Sequence, residues 1–230
     1  MGKAFSDKTV DSLFALVRCG MGTGEAPSEF SLNDAGWNEV LAMASEQAVT
    51  GLVFSGVSAL PDSCHVPDSV TFRLMQEAFR IRSKSEAVTG VMGKVLGLFS
   101  DAGLHPVIIK GPEAAAFYPD PSLRESGDLD IFFYGEEFVK ALEVISSRGI
   151  AVSSFPDGST HYLFEGVDID QHGKYFDLHC KESLLPEIPS AEATLLMLSA
   201  HILKHSISSG IGLRQICDIT LAYSSLEYNA

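Results

Sequence analysis

Asp128 and Asp130 stand two residues apart in the run Gly127-Asp128-Leu129-Asp130, which opens an apolar stretch through Ile131, Phe132 and Phe133. The β-branched and aromatic residues there predict a strand over 129–134. Alternate side chains of a strand share a face, so both carboxylates point one way and Leu129 and Ile131 the other. Carboxylates about 7 Å apart along a strand can converge on one or two hard cations, which prefer oxygen ligands. Without a cation they repel each other. Gly127 is expected to let the backbone turn tightly into the strand. A bare D-x-D is short, and alone it reads better as an exposed edge strand with two solvated acids.

The surroundings add chemistry. Lys110-Gly111-Pro112 falls between a predicted strand at 106–109 and a short predicted helix at 112–118. Pro at the first helical position with Gly before it makes a helix start, whose free N–H groups and dipole suit an anion. Lys110 either adds a charge for a phosphate or is a surface lysine ending a strand. Arg124, four residues before Asp128, suits two roles equally: a bidentate phosphate contact, or a salt bridge that locks the acidic pair. Asp168 and Asp170 alternate on one later predicted strand, and Tyr175, Asp177 and His179 on the next. Either strand could bring a third acid, and spacing alone does not choose. His201 and His205 lie one helical turn apart, but the sequence lacks the Glu of the zinc-protease pattern. Packing near the core is the plainer reading of that pair; an approach to an acceptor or a phosphate is the functional one. No G-x-S-x-G and no P-loop motif occurs.

These residues need elements to hold them. Helical periodicity marks Val10, Leu13, Phe14 and Val17, with Ser6 as N-cap, and then Trp37, Val40, Leu41 and Ala44. A shorter helix is expected at 50–60. One long helix is expected over 68–101, with Val70, Leu74, Ala78, Ile81, Val88, Val95 and Phe99 inward; Arg80, Arg82, Lys84 and Glu86 read most simply as a solvated face, the Arg and Lys alternatively as groups that reach a phosphate. After Gly103 the texture becomes α/β: strands at 106–109 and 129–134, a helix at 136–148, then strands at 150–154, 162–170 and 175–180. The last two are expected to form a hairpin around His172-Gly173-Lys174. Helices at 190–207 and 211–226 follow. The expected class is α+β: a small mixed sheet flanked by helices, with a helical N-terminal region (1–102), an α/β core (103–185) and a C-terminal helical region (186–230).

A net charge of −14 without clustered Lys and Arg argues against bulk nucleic-acid binding, which needs basic patches to displace counterions. It leaves room for a small nucleotide whose charge is met by metal and one or two basic side chains. The four cysteines form no C-x-x-C, so free thiols in a reducing compartment are expected. No apolar run suggests a signal peptide or a membrane span, and a cytoplasmic location is the expectation. Met1-Gly2 with Ser6 matches the pattern for N-terminal acylation, but capping is the plainer role for Ser6.

The stretch from Val107 to Phe133 resembles the uncharacterised nucleotidyltransferase family of the polymerase-β-like superfamily. It carries Lys110-Gly111, then Tyr118-Pro119, Arg124 and Gly127-Asp128-Leu129-Asp130, with Asp177-Leu178-His179 later. The C-terminal segments around His201, His205, Gly212-Leu213-Arg214 and Asp218 also look familial, so the likeness spans about residues 100–222. The resemblance implies a nucleotidyltransferase fold and Mg²⁺ (or Mn²⁺) ions held by Asp128, Asp130 and Asp177, the last also a candidate base for the acceptor. It implies an NTP such as ATP as donor, with Lys110, Gly111, Arg124 and Gly127 toward the nucleotide. His179, His201 and His205 are accessory candidates, and the acceptor is not specified. Better-known superfamily members carry Gly-Ser where this chain has Lys110-Gly111, so the triphosphate cradle is altered. The alternative implied function is an inactive nucleotide- or metal-binding module of the same fold. Relatives of this type often run longer, and this chain stops soon after a helical pattern, as a shortened form would.

Overall fold

The computed structural model describes residues 5–176, 190–208 and 210–225. The chain divides into two compact units. The first comprises residues up to Ser83 together with Tyr118–Glu125 and Gly212–Cys217; the second comprises Lys84–Phe117, Ser126–Ile211 and the residues from Asp218 on.

The first unit is helical. It contains α1 (Asp7–Gly20), α2 (Asp34–Glu46), α3 (Thr50–Ser58) and the start of α4 (Asp68–Asp101). Ser6 caps α1 by accepting from the Thr9 N–H, as expected, and Asn33 caps α2 through the Gly36 N–H. Of the residues expected inward on α1, Leu13 and Val17 are buried, but Phe14 is exposed and Leu16 takes its place in the core. The helix turns about 100° per residue, so a face centred on 13, 16, 17 and 20 leaves residue 14 on its flank. On α4 all seven residues expected inward are buried. The N-cap of α3 has no side-chain bond of its own; instead the Glu125 carboxylate accepts from the Thr50 N–H at 2.7 Å. An acid at a helix N-terminus meets a free donor and the positive end of the dipole. The short 3-10 turn Pro121–Leu123 lies just before Glu125, and the Leu123 carbonyl packs directly on Gly51 of α3.

Among its described residues the second unit is a five-stranded mixed sheet with helices on both faces. Its strands are β1 (Val107–Ile109), β2 (Asp128–Phe132), β3 (Val152–Ser154), β4 (Thr160–Phe164) and β5 (Val167–His172), in the order β1-β2-β5-β4-β3. Among the described residues only β2 and β5 run parallel. One face buries Leu129, Ile131, Tyr162 and Ile169 against Val88, Val91, Val95 and Phe99 of α4 and against Ala141 and Ile145 of α6 (Glu137–Ser146). The other face carries a smaller core of Ile109 and Phe132 with Ala114 of α5 (Gly111–Ala115), Met197 and Leu198 of α7 (Ala191–Ser208) and Ala222 of α8 (Leu213–Ser225). The α+β class and the mixed sheet flanked by helices are thus as expected.

Two strand expectations fail. The predicted strand over 162–170 is two strands, because Glu165 and Gly166 turn the chain with φ +47° and +84°. The expected hairpin around His172-Gly173-Lys174 is not the one formed: β5 ends at His172, Tyr175 and Phe176 pack into the smaller core, and 177–180 lie outside the described residues. A two-residue turn with positive φ at both positions favours Asn-Gly over Glu-Gly. A non-glycine residue in that region costs roughly 1–2 kcal/mol, and Asn tolerates it best. The exposed Lys94–Glu165 ion pair is worth at most about 1 kcal/mol in return. Glu165→Asn is therefore expected to stabilise the protein by about 0.5 kcal/mol in urea unfolding.

Among the described residues Cys19, Cys64 and Cys217 are free thiols, and no helix is long and apolar enough to cross a membrane.

Candidate functional site

The parallel register of β2 and β5 sets Asp128 beside Asp168, Asp130 beside Asp170 and Phe132 beside His172. Register partners share a sheet face, so four carboxylates and one imidazole line the face opposite the larger core. The carboxylates differ in setting. Asp128 at the strand start is exposed, whereas Asp130 is 4% exposed. Asp130 Oδ1 accepts from Lys110 Nζ at 2.7 Å and meets His172 Nε2 at 2.8 Å. Burial works to raise the Asp130 pKa, but the His172 hydrogen bond and the Lys110 charge together outweigh it and hold the carboxyl below the usual range. Asp170 moves the other way. Burial raises its pKa, and the charges of Asp130 and Asp128 add to the rise. Asp168 is engaged at 2.9 Å by His161 of β4.

Asp130, Asp170 and His172 form a group that could hold a metal ion, with one ligand atom from each and all three atoms within 4.8 Å of one another. Two carboxylates and an imidazole are a donor set suited to a divalent cation.

Lys110 reaches Asp130 from the end of β1 through an unusual backbone, φ +59° and ψ −114°. A non-glycine residue there costs about 1–3 kcal/mol and persists only where its surroundings enforce it. The ion pair to Asp130 and the Lys110 carbonyl, which accepts from the Ala114 N–H at 2.7 Å, are two such restraints. Gly111 follows immediately, and a Cβ there would stand 3.3 Å from the Asp128 carbonyl oxygen. A side chain there would press on the start of β2, which would have to give by a few tenths of an ångström. The helix it opens, α5, has five residues, so the dipole expected to favour an anion amounts to little more than one turn. Glu113 in that turn is tied to Thr194 of α7, and burial raises its pKa.

Gly127 is not among the glycines with positive φ, and a Cβ there would meet only Lys84 Nζ at 4.0 Å. The tight turn expected of it is therefore absent. The same contact brings Lys84, for which a solvated face was the plainer expectation and a reach to phosphate the other, close to the Asp128 end of β2. Arg124 is buried within the first unit, where its N–H closes the 3-10 turn on the Pro121 carbonyl. Asp177 and His179 lie outside the described residues. His201 and His205 stack edge to face at 4.3 Å on α7. Burial, reinforced by the charges of Lys110 and His205, pushes the His201 pKa down to about 4 despite the opposing charge of Asp130, so His201 is neutral at pH 7. His201 thus feels the charges of both Lys110 and Asp130, and His205 packs against its ring.

Sequence reasoning weighed Asp168 and Asp170 but missed His161 and His172. The signal was present in Val167-Asp168-Ile169-Asp170-Gln171-His172, where every second residue is an acid or an imidazole. Assigning His172 to a turn hid its place at the end of that alternation.

A strand-borne D-x-D beside a second acidic strand, with Lys110 on its buried carboxylate, brings together groups that could hold divalent cations and meet a phosphate. No curated protein and no solved structure matches the chain. A family model described as uncharacterised nucleotidyltransferase matches residues 33–229, which take in α2, all five strands and α8, and the chain belongs to that family.

Proposed function

We propose that this protein is a divalent-metal-dependent nucleotidyltransferase that moves a nucleoside monophosphate from an NTP to an acceptor hydroxyl. The observation that carries this reading is the shared acidic face of β2 and β5, with Lys110 bound to its buried member. In the reaction the acceptor oxygen bonds to the α-phosphorus, the bond from that phosphorus to the bridging oxygen breaks, and pyrophosphate leaves. Mg²⁺ or Mn²⁺, held by Asp128 and Asp130 with Asp177 as the third acid of the family motif, would neutralise charge on the entering and leaving oxygens. Asp177 is also the candidate to take the acceptor's proton. Lys110 supplies an ammonium for the triphosphate, and Gly111 keeps that turn free of a side chain so that phosphate oxygens can approach its N–H. His201 stays neutral, so it adds no charge of its own.

The test is pyrophosphate release with each NTP in Mg²⁺ or Mn²⁺, alongside calorimetry of nucleotide binding. Turnover supports the transferase; binding without turnover would identify an inactive module of the same fold. Lys110→Met is expected to lower kcat/KM about 100-fold, the scale of one lost charge-assisted contact to a phosphoryl group. An unchanged kcat/KM would remove Lys110 from the nucleotide site.

A further inference from the structure

His172 is the residue of this site that an all-oxygen Mg²⁺ centre has no use for. Its Nε2 meets Asp130 Oδ1 at 2.8 Å, and its side chain is 17% exposed. Lys110 has an ammonium on the same oxygen, so this corner already attracts a cation from within the chain. Ligand atoms on Asp130, Asp170 and His172 lie within 4.8 Å of one another. Bonds of about 2.1 Å place neighbouring ligands about 3 Å apart and opposite ligands about 4.2 Å apart. The three atoms thus need only small side-chain adjustments to close on one ion.

We infer that Asp170 joins Asp130 in holding a divalent cation, that His172 is a direct nitrogen ligand of that ion, and that it makes this centre select a first-row transition ion such as Mn²⁺ over Mg²⁺. The inference rests on the metal-dependent reading proposed above. Mg²⁺ is small and hard, keeps its waters and takes oxygen ligands, whereas imidazole suits the borderline ions later in the first row. Mn²⁺ accepts both donor types. A Mn²⁺ ion between the two strands would bond Nε2 where the hydrogen bond to Asp130 now lies, with the ring hydrogen carried on Nδ1. Lys110 would then leave Asp130, and its ammonium would be free for phosphate.

The decisive measurement is pulsed electron paramagnetic resonance of the full chain loaded with Mn²⁺ and no nucleotide. A directly coordinated imidazole nitrogen is expected in the wild type, lost in His172→Gln and retained in His161→Gln and His201→Gln. Competition calorimetry should show the preference for Mn²⁺ over Mg²⁺ falling about tenfold or more in His172→Gln. Bound Mn²⁺ without nitrogen coupling would overturn the inference. It would make His172 a positioning residue acting through Asp130, and would leave the transferase reading standing. A nitrogen signal that survives His172→Gln would assign the ligand to another histidine and equally overturn it. Failure to bind Mn²⁺ at all would sink both readings. If His172→Gln does not fold, the wild-type spectrum with ¹⁵N-labelled histidine still decides whether a histidine is bound.

Discussion

Asp128→Ala is expected to lower nucleotidyl transfer by about 10³-fold or more while leaving thermal unfolding within about 0.5 kcal/mol of wild type. The carboxylate is exposed at the first residue of β2, so its loss leaves no buried group without a partner. Removing it also relieves Asp170 of one like charge. Asp130→Asn is expected to lose as much activity but to unfold more easily. Asp130 is buried and bears Lys110 and His172 on one oxygen, and breaking a buried charge pair from one side costs up to about 3–5 kcal/mol. The Lys110 side chain is 23% exposed and can turn to water, which brings the expected loss nearer to about 1–3 kcal/mol. The pH dependence of stability is a further measure for Asp130. Asp130 has a folded pKa below its unfolded one, so it stabilises the protein above the ordinary carboxylate range and loses that contribution as acid protonates it. The gap in stability between wild type and Asp130→Asn should therefore narrow as pH falls below about 4. Pyrophosphate release and urea unfolding across pH 3–8 measure both effects. Full transfer by both variants would mean that the D-x-D does not hold the metal.

The sequence carried the site's chemistry further than its geometry. Alternation in Asp128-Leu129-Asp130-Ile131 sorts acids from core residues because the strand period is two, and Leu129 and Ile131 are indeed fully buried. The long helix α4 was legible for the same kind of reason: its seven inward residues keep the helical period through a polar middle. What could not be read was which acid is buried. β1 and β5 flank β2 on both sides, and that pairing joins segments about 20 and 40 residues away from Asp130. No local pattern encodes it. The parallel pairing of β2 with β5 is likewise what brings Asp170 and His172 to Asp130. The Lys110 conformation left no trace either, since lysine is not a residue that signals positive φ. Its signal is tertiary, in the ion pair that rewards the strain. The β4–β5 turn was missed because Glu165-Gly166 is a weak form of a turn usually marked by Asn or Asp before Gly.

Gly56→Ala is expected to destabilise the first unit by about 3 kcal/mol or more, although alanine is the better helix former by about 1 kcal/mol. The reason is a reciprocal contact between α1 and α3. A Cβ on Gly56 would stand 2.1 Å from the Leu16 carbonyl oxygen and 2.8 Å from its carbon; a Cβ on Gly20 would stand 2.0 Å from the Leu52 carbonyl oxygen. In each helix the glycine lies four residues after the leucine whose carbonyl receives its partner. The two backbones therefore touch at two points one turn apart. The obstructing atoms are main-chain, so no rotamer change relieves the clash. The helices must separate by about 1 Å, which opens the packing of Leu13, Leu16 and Val17 and forfeits close contacts on both sides. Trp37, the chain's one tryptophan, is fully buried in the same unit, so its fluorescence in urea reports this loss directly. Gly90→Ala supplies the opposite sign. Gly90 lies in the middle of α4 with nothing within 4 Å of an added Cβ. Only helix propensity acts there, and a gain of up to about 1 kcal/mol is expected by circular dichroism. If both variants gained stability alike, α1 and α3 would not cross through their glycines, and the core built around Leu16 and Leu52 would have to be packed another way.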